Sequence, residues 1–368
     1  MLALDTAKLG KYGDVIDLSI GDMDVPTDRR IIEAACRDAS AGYTTYGMPK
    51  GDPALIDGIH DYYDEMYGLS IPPEQIYITA SSLFGMALAM FATLNPGDEV
   101  IVFSPYFSAY KGQITLAGGT LVEVPTYEAD GFAIREECLR AALTDRTRGI
   151  IINSPNNPTG AVYPMETLEM LARVAVERDL ILYADDIYTH YVYTGKMIPI
   201  MTLPGMAERT ITFNSFSKNY MMTGWRVGYI IAQPHFIETM LRINYSVIYS
   251  APSVSQRAAL MALSLTDSIR KTYLADYQRR VFYAAERIGR IPWMHVLPPQ
   301  GTFYLFPNIE KTGLNSADFC DTLFERAHIL VTPGSVFGAA GEGHFRLVCT
   351  AKQEALSEAF DRMEQLDW

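Results

Sequence analysis

Residues 180–232 read LILYADDIYTHYVYTGKMIPIMTLPGMAERTITFNSFSKNYMMTGWRVGYIIA, and three apolar runs inside them set the fold. LILYADD (180–186), TITFNSFS (210–217) and RVGYIIA (226–232) are near-continuous in apolar residues, as strands covered on both faces are. Four similar runs precede them: IYITAS (76–81), EVIVFSP (99–105), TLVEVPT (120–126) and RGIIINSP (148–155). Helical segments such as PMETLEMLARVAVERD (164–179) lie between the runs and supply the cover. The prediction is an α/β large domain whose seven-stranded, mainly parallel sheet is flanked by helices.

After Ala251 the texture changes to long helical stretches, SVSQRAALMALSL and DSIRKTYLADYQRRVFYAAERIGRI. A small α+β region with PPQGTFYLF, HILVTPGSVFG and HFRLVCTA follows. A chain of 368 residues exceeds the roughly 250–300 at which one core stops growing, so two lobes are expected. The expected division is 28–275 for the large domain and 1–27 with 276–368 for the smaller one.

Hydrophobic content of 49% with 20% charged residues is the balance of a soluble globular chain. A net charge of −13 without any basic block argues against a nucleic-acid partner. Cys36, Cys138, Cys320 and Cys349 are far apart, form no CxxC and read as buried thiols of a cytoplasmic protein. The start, MLALDTAKLGKYG, carries Asp5 and two lysines without a continuous apolar core, so no signal peptide is expected. Gln75 to Gly97 carries no charge until Asp98, but TASS interrupts it and NPGD ends it. A buried strand, turn and helix is expected there, not a membrane span. No metal ligand set is called for.

In open α/β sheets chemistry gathers beyond the carboxyl ends of the strands. Here those ends are polar: SPNNPTG, ADDIY and SFSK would bring Asn157, Asp185, Tyr188 and Lys218 to one crevice. Each has a bland explanation. NNPTG makes a β-turn, Asp185 can cap a helix, and Tyr188 can be core. Their joint occurrence at successive strand ends is what those explanations leave out.

A pyridine aldehyde cofactor asks for such a set. A carboxylate, Asp185, keeps the ring nitrogen protonated, and Tyr188 and Asn157 address the ring oxygen. Lys218 holds the aldehyde as a Schiff base, is displaced by a substrate amine, and then shuttles a proton. Ser81 and Ser82 open a helix in TASSLFGMAL whose free N–H groups suit a phosphate. Arg226, with Ser215, supplies the charge that a helix terminus alone lacks.

SPNNPTG, ADDIY, SFSKNYMMTGWRVGY, PPQGTFYLF, TPGSVFG and GHFRLVC, in this order, resemble the class I/II aminotransferases of the fold type I pyridoxal phosphate enzymes. The likeness runs from IDLSIGDMD (16–24) to the C-terminal lobe. It implies pyridoxal 5'-phosphate as cofactor and a homodimer acting on amino acid and 2-oxo acid substrates. By that resemblance Lys218 is the Schiff-base lysine, Asp185 the ring-nitrogen carboxylate, and Tyr188 and Asn157 the ring-oxygen partners. Ser81, Ser82, Leu83, Ser215 and Arg226 fall at cofactor-binding positions, and Phe107 lies against the cofactor face. Tyr46 reaches the phosphate of the neighbouring subunit. Arg346 grips the substrate carboxylate, with Gly21 and Asn157 beside it.

Three departures from the family pattern stand out. Ser81 stands where relatives usually have glycine, and the arm before Gly21 is short. Leu83 replaces a lysine that some aspartate-specific relatives use for the distal carboxylate, so an apolar or aromatic substrate enters consideration. A carbon–sulfur β-lyase of the same fold uses the same residues, and a ligand-sensing regulator is a further alternative. His190 is expected to lie behind the site or at the surface.

Overall fold

The computed structural model describes residues 10–368. Residues 1–9, which hold part of the expected small domain and most of the stretch read for a signal peptide, lie outside the described residues. Along the chain the strands are β1 (Ile16–Asp17), β2 (Ile76–Thr79), β3 (Glu99–Ser104), β4 (Thr120–Pro125), β5 (Thr147–Asn153) and β6 (Ile181–Asp185). They continue with β7 (Thr210–Ser215), β8 (Gly228–Ile231), β9 (Tyr304–Leu305), β10 (Ile329–Leu330), β11 (Thr332–Pro333) and β12 (Phe345–Val348).

All seven expected runs form one sheet, in the order β2-β8-β7-β6-β5-β3-β4. β8 runs antiparallel to both neighbours, and the remaining pairings are parallel. Both faces are covered, which is why the runs do not alternate. Val100, Val102, Ile151 and Tyr183 pack with helices Ser82–Thr93 and Pro234–Tyr245, while Ile101, Ile150, Ile152 and Leu182 pack with helix Met165–Glu177. Side chains leaving water on both faces contribute about 1.5–3 kcal/mol each, so the sheet is a firm base for whatever its ends carry.

The charge-free stretch is a strand and a helix, as expected. Ser82–Thr93 has 12 residues, about 18 Å of helix against the ~30 Å of a bilayer core. Among the described residues no helix is long and apolar enough to cross a membrane.

Helix Thr266–Ile269, a π-helical turn at Arg270–Leu274 and helix Ala275–Ile288 follow one another directly, so residue 276 lies inside one long helical stretch. β1 pairs in parallel with β10, which joins the start of the described chain to its C-terminal part. β11, β12 and β9 form a small antiparallel sheet that carries Arg346 and Tyr304.

One expectation needs correction and another is narrowed. Only Cys320 and Cys349 are buried. Cys36 is exposed on helix Arg29–Ser40 and Cys138 is half-buried on helix Glu136–Ala142, because each sits on a helix with one face turned outward. His190 is not at the surface. It is buried, bonds the Tyr62 hydroxyl at 2.7 Å, and has its imidazole pushed down to about 3 by burial.

Candidate active site

Strand register assembles the site. Asn153, last in β5, lies opposite Asp185, last in β6, and its side-chain amide donates to the Asp185 carbonyl at 2.8 Å. The Asn153 side-chain oxygen accepts from the Asn157 N–H at 2.8 Å, fixing the turn that follows β5. Ser215 ends β7 and caps the short helix Phe216–Asn219, which presents Lys218. Three adjacent strands thus deliver Asn157, Asp185 and Lys218 to one end of the sheet.

A cleft of about 490 Å³ is lined there by Gly21, Phe107, Asn157, Asp185, Tyr188, Lys218 and Arg346, among others. A smaller cavity of about 170 Å³ shares Phe107, Asp185 and Lys218 with it, and adds Ser81, Ser82, Leu83, Ser215 and Arg226. The structure therefore brings together twelve of the thirteen expected positions. Tyr46 is the exception: it is 87% exposed and lines a separate surface cavity with Ile248 and Ser253.

The electrostatics are those of a site holding a charged group away from water. Burial pushes the Lys218 amine down to about 8, and the nearby Arg346 and Arg226 push the same way, against Asp22. Its Nζ donates to the Gly21 carbonyl. Burial raises Asp185 to about 6 although the Tyr110 hydroxyl donates to its Oδ2. Asp185 Oδ1 is buried without a hydrogen-bond partner. A buried carboxylate oxygen left over in this way matches a ligand N–H rather than a folding requirement.

Arg346 is buried. Its Nη1 donates to Asn157 Oδ1 at 3.1 Å and its Nη2 to the Ser19 carbonyl at 2.6 Å, while Nε has no partner. Tyr188 bonds Tyr304, hydroxyl to hydroxyl, at 2.9 Å.

The Ser81 end of the smaller cavity is built on strain. Ser81 adopts φ 100° and ψ 155°, a backbone region that glycine alone occupies readily, and its side chain caps the helix by accepting from the Phe84 N–H at 3.2 Å. That torsion accounts for the glycine that the family resemblance leads one to expect at this position. Ser82 and Leu83, whose N–H groups have no carbonyl within the helix to bond, line the 170 Å³ cavity with Ser215 and Arg226. Arg226 itself is exposed and bonds the Thr223 carbonyl at 2.7 Å.

Sequence reading missed Tyr110, Asn153, Ser19 and Tyr304. SPYFSAY does place Tyr110 one helical turn beyond Phe107, and GTFYLF contains Tyr304, but no spacing rule ties either to a strand end far away in sequence.

A profile of the family described as aminotransferase class I and II matches residues 13–363. An aspartate aminotransferase of Pyrococcus abyssi is 38% identical, over 96% of this chain and 92% of its own length. An aromatic-amino-acid aminotransferase of Thermococcus litoralis is 37% identical, over 96% of this chain and 91% of its own. The crystal structure of an aromatic aminotransferase from Pyrococcus horikoshii superposes with a TM-score of 0.91 at 37% identity, covering 98% of this chain and 97% of that one.

Proposed function

Because the chain belongs to the class I and II aminotransferases, pyridoxal phosphate enzymes of fold type I, we propose that the cleft at Lys218 is where it transfers amino groups. The protein moves an amino group from an L-amino acid to a 2-oxo acid. The observation that carries the site assignment is the partnerless, buried Oδ1 of Asp185 in the same cavity as the lowered amine of Lys218.

Bound there, pyridoxal phosphate supplies an aldehyde for amines and a ring that withdraws electrons from the substrate carbon. The chain's own residues do the rest. Asp185, whose Oδ1 is unpartnered while Tyr110 occupies Oδ2, would keep the ring nitrogen protonated. Ser81, Ser82, Leu83, Ser215 and Arg226, which line the smaller cavity with Phe107, would hold the phosphate end, and Phe107 would lie beside the ring. Arg346, with Asn157 and the Gly21 backbone, seats the substrate carboxylate. Lys218 Nζ, with its amine at about 8, takes a proton from the substrate carbon and returns it near neutral pH.

The substrate side chain is apolar or aromatic. Ile20, Leu330, Val331, Pro333 and Phe337 line the larger cleft, and among the described residues its cations are Lys218 and Arg346.

The protein acts as a homodimer. This is supported by Tyr46, which is exposed and lies outside the cleft of its own chain, the position from which it would reach a partner's phosphate end. The domain division at 275/276 is supported by the β1–β10 pairing, and would put the junction next to the π-helical turn. A cytoplasmic location rests on the dispersed cysteines.

The test loads the protein with pyridoxal phosphate, traps the bound amine with borohydride, and assays an amino-acid panel with 2-oxoglutarate and pyruvate. Label on Lys218 and transfer from phenylalanine, tyrosine or leucine in preference to aspartate are expected. Label elsewhere, or pyruvate and ammonia from cystathionine without any oxo acid, would refute the reading.

A further inference from the structure

Tyr304 touches three parts of the site that come from distant stretches of chain. It lies in β9 opposite Val348 of β12, two residues from Arg346, and only 2% of it is exposed. Its ring centroid is 4.6 Å from the Arg346 guanidinium carbon, and Phe337 covers the same group at 4.9 Å. Its hydroxyl meets that of Tyr188 at 2.9 Å. A Cβ added at Gly21 would overlap the Tyr304 hydroxyl and lie 3.0 Å from Cζ, so this phenol sets how close the Gly21 backbone comes. Gly21 in turn accepts from Lys218 Nζ. The carboxylate-binding arginine, the ring-oxygen tyrosine and the lysine's resting partner all meet at this one side chain.

The direction of the phenol pair matters. Tyr188 has one proton, and if it is given to Tyr304 none is left for the cleft. Burial raises both phenols and Arg346 lowers both, but Tyr188 is raised the further, which makes Tyr304 the more acidic of the pair and favours it as the donor of the 2.9 Å bond. Tyr188 then aims its own proton into the cleft, and as a member of a donor chain it is a stronger donor than an isolated phenol.

We propose that Tyr304 is a positioning residue for amino transfer: its hydroxyl donates to Tyr188 and bounds Gly21, while its ring backs Arg346. This rests on the amino-transfer reading of the cleft. It adds a role that works through Tyr188, Gly21 and Arg346.

The test is a cycle of Tyr304→Phe, Gly21→Ala and the double variant, each loaded with pyridoxal phosphate. Tyr304→Phe keeps the ring over Arg346, so KM for the amino donor stays within about twofold while kcat falls about three- to tenfold, the loss of one net hydrogen bond. A second readout needs no turnover: the pH midpoint of the cofactor's visible band rises by a few tenths of a unit or more, because Tyr188 becomes the weaker donor to the ring oxygen. Gly21→Ala lowers activity in the parent, and its cost shrinks at least about threefold once the overlapping hydroxyl is gone. An unmoved midpoint, or losses that simply multiply in the double variant, overturns the inference. Failure of the underlying reading would appear instead in the unmutated protein, which would then transfer no amino group.

Discussion

Ser81→Gly should make the cofactor-free protein more stable, although it deletes a helix cap. At φ 100° and ψ 155° a residue with a Cβ carries about 1–3 kcal/mol of backbone strain. Glycine removes that strain. It also removes the Oγ bond to the Phe84 N–H, a change worth a few tenths of a kcal/mol at an N-cap when glycine is the replacement. Greater freedom of the unfolded chain costs a further ~0.4–1 kcal/mol. The balance runs from about zero to about 2.3 kcal/mol, centred near 1 kcal/mol in favour of glycine. Ser81→Ala keeps the strain and loses the cap, so it should lose about 1 kcal/mol. Urea unfolding of the three cofactor-free proteins at equal m should therefore rank glycine above serine above alanine. If Ser81→Gly is less stable than the parent by more than about 0.5 kcal/mol, the strain assigned to this loop is absent.

Asp185→Asn should raise cofactor-free stability by about 2–3 kcal/mol at pH 7 and by almost nothing at about pH 3. Folding raises this carboxyl from 3.8 to about 6, so the native state must hold a buried charge above pH 6, whereas by about pH 3 both states are largely neutral. Equal urea midpoints for variant and parent at pH 7 would contradict the assigned burial. Arg346→Lys should raise KM for amino donors about tenfold or more with a smaller change in kcat, since a lysine cannot reproduce a guanidinium's paired donors. Steady-state kinetics showing an unchanged KM would remove Arg346 from carboxylate binding. Sedimentation should give a dimer, and Tyr46→Ala should weaken pyridoxal phosphate retention in dialysis; a fully active monomer would exclude the cross-subunit role.

The sheet was legible because its strands are buried on both faces. That makes each of them a continuous apolar run, and the seven runs appear in the sequence within a residue or two of β2 to β8. Positions at the strand ends were legible for the same reason, since a run that stops at Asp185 or Ser215 marks its own end. Ser81 was noticed as a departure, but the torsion that makes it one is a property of the folded loop. The four buried cysteines expected became two, because burial depends on which face of a helix meets the core.

By itself the sequence determined which residues stand at the carboxyl ends of parallel strands, because hydrophobic burial and strand periodicity are local and repeat along the chain. Only the tertiary structure decided what surrounds them. Tyr110 against Asp185, Tyr304 between Tyr188 and Arg346, and Gly21 against Lys218 join residues that lie far apart in sequence. Their meeting is fixed by strand order and lobe packing, which no single segment encodes. Those long-range contacts set the free oxygen of Asp185 and the lowered amine of Lys218 on which the proposed amino transfer at this cleft rests.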